Sequence, residues 1–113
     1  MKKIEAIIRP EKLDVLKAEL DKVGYPGMMV TEIRGHGKQG GVTHSFRGNE
    51  FKTFFLSKIK VEIVVTEAQV KKLLDVISEV CRSGAVGDGK IFVSPIDNAV
   101  RIRTGESGDM TVS

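Results

Sequence analysis

The single cysteine, Cys81, excludes an internal disulfide and any cysteine-only metal cluster. Five phenylalanines and one tyrosine are a thin supply of stacking aromatics, and the clearest strand pattern, residues 57–65, contains none. A base-stacking RNA surface on a sheet is therefore disfavoured. No apolar run approaches the ~20 residues of a membrane span. The opening Met1-Lys2-Lys3-Ile4-Glu5 starts a strand pattern rather than the apolar core of a signal peptide, so a cytoplasmic protein is expected. The net charge of +3 is too small to argue for nucleic acid.

What is present is an ordinary globular composition, 41% hydrophobic and 29% charged over 113 residues, which predicts one domain spanning 1–113. The positive charge is concentrated. Residues 34–60 hold six bases (Arg34, Lys38, Arg47, Lys52, Lys58, Lys60) against the single acid Glu50, while the rest of the chain is slightly acidic. Glycines cluster too, at 35, 37, 40, 41 and 48, then at 84, 87 and 89.

Residues 3–9 read as a strand with Ile4, Ala6 and Ile8 on one face and Ile7 on the other. Pro10 suits the first turn of a helix that carries Leu13, Leu16, Leu20 and Val23 on one side and ends at Gly24. A second strand fits residues 28–34, followed by a polar, irregular segment over 35–55. In residues 57–65, Ile59, Val61, Ile63 and Val65 alternate with polar positions. Thr66 and Gln69 make a capping box for a helix that buries Val70, Leu73, Leu74, Ile77 and Val80. A tight loop over 84–89 leads to a short strand at 90–93, and a last strand is predicted at 98–103, with Val100 and Ile102 inward and Arg101 and Arg103 outward.

The two halves repeat at an offset of 57, which pairs Ile4 with Val61, Leu13 with Val70, Leu16 with Leu73 and Val23 with Val80. A duplicated strand-helix-strand unit predicts an α+β, ferredoxin-like fold, an antiparallel sheet with both helices on one face. Ile7 and Val64 are apolar on the other face, and no third long helix covers them, so that face is expected to pack against further subunits.

Two phosphate motifs mislead. Gly35-His36-Gly37-Lys38-Gln39-Gly40 fits G-x-G-x-x-G, but no helix period follows to meet a pyrophosphate. Gly84 to Lys90 fits the start of a Walker A loop, yet residue 91 is isoleucine and the order is helix-loop-strand. The chemistry outlives the patterns. Gly87-Asp88-Gly89-Lys90 is a flexible backbone beside an ammonium, a plausible anion nest. Arg101 and Arg103, on one face of the predicted strand, suit a di- or triphosphate. His36 and His44 have no fixed acidic partner and read as surface residues, and Cys81 reads as a small buried hydrophobe.

These residues resemble the PII signal-transduction proteins of nitrogen regulation. The similarity covers essentially the whole chain. It is strongest over Ser83-Gly84-Ala85-Val86-Gly87-Asp88-Gly89-Lys90-Ile91-Phe92-Val93, which resembles the family's B-loop (about 82–90), and extends to Ile4-Glu5-Ala6-Ile7-Ile8-Arg9-Pro10 and Arg101-Ile102-Arg103-Thr104-Gly105-Glu106. The resemblance implies a homotrimer with ATP or ADP in clefts between subunits. It assigns Ser83, Gly87, Asp88, Gly89, Lys90, Arg101, Arg103 and Gln39 to the nucleotide, Ile7, Met29, Glu62 and Val64 to the adenosine pocket, and Gly35, Gly37 and Lys38 to its closure. By the same resemblance Gln39 is the ligand of a magnesium ion bridging ATP and 2-oxoglutarate. Lys58, with Gly37, Lys38, Gln39, Gly40 and Gly41, receives the 2-oxoglutarate carboxylates. Residues 37–55 then correspond to the T-loop, and 95–113 to a C-terminal strand and loop. Arg47 aligns with the arginine that enters an Amt-type ammonium channel.

Departures from the family pattern are informative. Phe51 replaces the nucleotidylated tyrosine and has no hydroxyl, so no modification is expected there. Asn49 removes a serine that some members phosphorylate, His44 stands where an acid is common, and Lys38 replaces an arginine, exchanging a planar fork for a point charge. The expectation is a non-enzymatic sensor of ATP, ADP and 2-oxoglutarate that acts on an ammonium channel or a nitrogen-metabolism enzyme. It would meet a membrane only through such a partner. The rival is a small ferredoxin-like phosphate-handling enzyme, for which no nucleophile or activating group stands out.

Overall fold

The computed structural model describes residues 1–112 apart from 26, 37–42, 47–48 and 53–54, and within 35–56 it describes the backbone alone. The elements run β1 (Lys2–Ile8), α1 (Leu13–Lys22), β2 (Met29–His36), β3 (Thr43–Phe46), β4 (Asn49–Lys52), β5 (Phe55–Val65), α2 (Val70–Cys81) and β6 (Lys90–Pro95). The main sheet has the order β2-β5-β1-β6, with every neighbouring pair antiparallel. This is the predicted ferredoxin-like arrangement. The duplication holds in detail, because the single 3-10 turns Pro10–Lys12 and Glu67–Gln69, and the helix starts Leu13 and Val70, keep the same offset.

Strand alternation and helix period meet in one core. Ile4, Ala6 and Ile8 from β1 join Ile59, Val61, Ile63 and Val65 from β5, under Leu16 and Leu20 of α1 and Leu73, Ile77 and Cys81 of α2. Full burial of each large aliphatic chain contributes roughly 1.5–3 kcal/mol. Burial also pushes the Cys81 thiol up from its ordinary value, as suits a packing residue.

Three expectations change. The segment after β2 is not irregular throughout, since β3 and β4 form a separate two-stranded ribbon with Thr43 opposite Lys52 and Phe46 opposite Asn49. Strand β2 runs through Gly35 and His36, which pair with Leu56 and Phe55, so His36 lies on a strand end rather than in a loop. The strand predicted at 98–103 is absent. Arg101 donates its N–H to Glu106 O at 2.8 Å, and Gly105 and Gly108 donate theirs to Arg101 O and Ala99 O. The segment therefore folds on itself, with one bridge from Val100 to Ser107. Ile102 is fully exposed, so the alternation that predicted an inward face has no sheet to face.

Candidate functional site

The site is built at one end of the sheet, where β1 stops, β6 starts and α2 delivers the chain between them. Helix α2 ends at Arg82 in an extended conformation, and the chain then turns through residues 83–89. Asp88 closes this loop. Its carboxylate accepts the N–H of Ser83 at 2.8 Å, the N–H of Gly84 at 2.9 Å and the Ser83 hydroxyl, while the Ser83 Oγ accepts the N–H of Ala85. These bonds hold the Asp88 carboxyl well below the usual carboxylate range, the Ser83 hydroxyl being the largest cause.

Gly89 fixes where the loop sits. A Cβ there would lie 1.7 Å from Ile7 O, at a backbone φ of +98°. No side chain is compatible with that approach, so the loop rests directly on the β1 backbone. Lys90 then enters the ladder opposite Ile7.

Two cations meet the loop's outward carbonyls. Lys58 Nζ donates to Gly87 O at 2.6 Å, and burial followed by the nearby Arg9 charge pushes its ammonium down from the ordinary value. Arg9 Nη2 donates to Val86 O at 3.0 Å and Arg9 Nε to Asp88 Oδ1 at 3.3 Å. Arg9 was not among the expected site residues.

The antiparallel register gathers the expected adenosine residues on the face away from the helices. Met29, Glu62, Glu5 and Phe92 form one cross-strand row, and Lys60, Ile7 and Lys90 lie in the next. Glu5 and Glu62 stand directly opposite one another, a like-charge pair offset by Lys3 at 3.0 and 3.5 Å and by Lys60 at 3.6 Å from Glu62. The Lys3 ammonium holds the Glu5 carboxyl low, and Glu5 raises Lys3. Val64 faces the same way opposite Lys3, while Met29 and Phe92 are exposed. On the helix side of β6 a cavity of about 420 Å³ runs from Ile8, Leu74, Ile77 and Cys81 to Arg82 and the Asp88–Lys90 segment. It shares only Ile7, Asp88, Gly89 and Lys90 with the expected site.

Arg101 and Arg103 are not bonded to the loop. Lys90 opens β6 and Pro95 closes it opposite Lys2, ends that are roughly 17 Å apart at ~3.4 Å per residue. In sequence the arginines come six and eight residues after that far end. Arg101 pairs with Glu106 at 3.2 Å, and among the described residues no hydrogen bond or ion pair joins either arginine to residues 83–90. Gly37, Lys38, Gln39, Gly40, Gly41 and Arg47 lie outside the described residues, as does the side chain of Phe51. Among the described residues no group of His, Cys, Asp and Glu suits a metal ion, and no helix is long and apolar enough to cross a membrane.

Comparison with known proteins gives a consistent result. The family model described as nitrogen regulatory protein P-II matches residues 1–106. The chain is 55% identical over 106 residues to a nitrogen regulatory protein P-II of Synechocystis sp., covering 94% of this chain and 95% of that one. It is 51% identical over 109 residues to the Pasteurella multocida protein of the same name, covering 96% and 97%. It is 50% identical over 112 residues to nitrogen regulatory protein P-II 2 of Methanothermobacter thermautotrophicus, covering 99% and 97%.

Proposed function

Because the chain belongs to the nitrogen regulatory protein P-II family, a family of regulators rather than enzymes, we propose that it is a homotrimeric sensor of ATP or ADP and 2-oxoglutarate. Its 37–55 segment then acts on an ammonium channel or a nitrogen-metabolism enzyme, through Arg47 in the channel case. The observation that carries this reading is the 83–90 loop. A chain of glycines is pinned against β1 by Gly89 and closed by Asp88, with Arg9, Lys58 and Lys90 gathered around it. Three cations around a hydrogen-bonded loop at a sheet end suit a polyanion that exchanges, since donors already held in place lower the ordering cost of binding.

Among the described residues Arg101 and Arg103 make no hydrogen bond or ion pair to the 83–90 loop, which suits a site completed by a second copy of the chain. Arginines from one copy and the loop of another would then share one polyphosphate. The exposed Met29 and Phe92 on the open sheet face, and the bare Ile102, suit burial between copies. Lys58 would carry a 2-oxoglutarate carboxylate, with Gln39 as the side-chain ligand of a magnesium ion that holds the dianion next to ATP. Magnesium prefers such hard oxygen donors.

Isothermal titration with ATP and ADP tests the reading, together with sedimentation to determine the oligomer. Micromolar nucleotide binding by a trimer is expected. Absence of binding at millimolar nucleotide would refute it.

A further inference from the structure

The start of each half of the molecule follows one plan: a strand, one residue in extended conformation, a 3-10 turn and a helix. In the second half that residue is Thr66, whose N–H and hydroxyl both donate to Gln69 Oε1, at 3.0 and 3.1 Å. Thr66 is an ordinary N-cap, a position where Ser, Thr, Asp and Asn are favoured. In the first half the same position holds Arg9, which forms no capping box. An arginine there forgoes a local stabilisation available to its counterpart. Exceptions to a local rule of this kind are expected where a residue has other work.

Arg9 spends its side chain across the molecule. Its guanidinium reaches Asp88 and Val86 O at once, far away in sequence, and only 17% of the side chain is exposed. Its aim is set by the backbone. Pro10 disfavours helical geometry in the residue before it, and Arg9 is held extended at φ −68°, ψ 140° while its carbonyl accepts the Lys12 N–H. The planar fork suits the task. One nitrogen faces the carboxylate that gathers the Ser83 and Gly84 amides, and another faces a carbonyl of the same loop.

We propose that Arg9 is a positioning residue for nucleotide binding: by clasping Asp88 and Val86 O it holds the 83–89 loop in its anion-receiving shape. The inference rests on the nucleotide reading of that loop, but the clasp itself can be measured without any ligand. Loss of Arg9 leaves Asp88 with the loop's own donors and frees the Val86 peptide to reorient. The loop then samples other shapes, and the nucleotide binds only the fraction that remains competent.

The test compares Arg9→Gln and Arg9→Lys by amide hydrogen exchange and by ADP titration. In Arg9→Gln, protection of the Ser83 and Gly84 amides falls and ADP affinity drops by about tenfold, as for loss of a charge-assisted hydrogen bond. The Gly24 and Tyr25 amides, at the end of α1, are unchanged. Arg9→Lys keeps the charge but cannot span both partners, so it recovers part of both losses. In Arg9→Gln/Asp88→Asn the two losses are less than additive, as for residues in contact. Unchanged Ser83 and Gly84 protection in Arg9→Gln, or ADP affinity within about twofold of the parent, would overturn the proposal. If the parent protein bound no ADP, the nucleotide reading would fall, and the exchange data alone would still decide whether Arg9 shapes the loop. Should Arg9→Gln not fold, Arg9→Lys carries both measurements, and parent-like values for both would count against the clasp.

Discussion

The two halves of this chain begin and end their helices differently, and the differences coincide with the site. Helix α1 is closed by backbone alone. Gly24, at φ +86°, donates to Asp21 O, Tyr25 donates to Leu20 O, and the chain enters β2 through residues 23–28. Helix α2 ends at the extended Arg82, and residues 82–89 are closed by the carboxylate of Asp88 and the cation of Arg9. The first connection closes its helix with a Schellman motif, and among the described residues no distant side chain hydrogen-bonds to it. The second is a side-chain construction that draws on β1 and β5. A duplicated unit thus has a self-contained joint in one copy and, in the other, the loop proposed to receive nucleotide.

The sharpest break in this contrast is Gly89→Ala. The new methyl would collide with the Ile7 carbonyl, which belongs to the central ladder and cannot yield. We expect a stability loss of at least 2 kcal/mol in thermal melts, from positive-φ strain and the clash together, and no measurable nucleotide binding. The matching change at the other joint, Gly24→Ala, meets no atom within 4 Å and bears only the left-handed backbone cost of about 1 kcal/mol. Equal losses from the two substitutions would erase the distinction between the joints.

Next in size is Asp88→Ala, which removes the acceptor of three loop donors. Nucleotide affinity is expected to fall by about tenfold or more, with α2 intact by circular dichroism. The carboxyl also sets a pH window. Its folded value is depressed, so its contribution is complete above the ordinary carboxylate value of 3.8 and is lost only as pH falls toward the folded value. Between pH 8 and 5 the Ser83 and Gly84 amide resonances should therefore keep their positions. A shift of these signals across that range would contradict the arrangement.

Most of the fold was legible in residues whose burial obeys one period. Ile4, Ala6 and Ile8 alternate, Leu73 and Ile77 recur at helical spacing, and the offset of 57 extends to the short turns before each helix, which periodicity alone does not predict. The stretch 98–103 misled because alternation of Val100 and Ile102 describes a strand only where a sheet receives it. Here the chain hydrogen-bonds to itself across Arg101 and Glu106, and Ile102 is bare. The loop 83–90 was legible from its glycines, but its geometry was not, because Asp88 turns inward onto Ser83 and Gly84 rather than outward to a ligand. Arg9 was overlooked although the repeat pointed to it. Aligning Arg9 with the N-cap Thr66 marks a cation where a cap is expected, and only the tertiary contact with residues 86 and 88 gives the reason.

The smallest expected effect isolates that exchange of a cap for a cation. Among the described residues Thr66 makes no hydrogen bond to the loop, and its bonds stop at Gln69, so Thr66→Ala removes one cap. A loss of about 1 kcal/mol is expected, read from urea unfolding, with nucleotide affinity unchanged. Arg9→Thr is the converse. It offers the first half the cap that the second already has, and thereby returns part of the local stability that Arg9 forgoes. Because the donors to Asp88 and Val86 O are gone, it should still weaken nucleotide binding about as much as Arg9→Gln. Stability and binding would then move separately at position 9 and position 66. If Arg9→Thr instead bound nucleotide as the parent does, the residue at the end of β1 would be no more than a helix start, and the two halves would differ only in their loops.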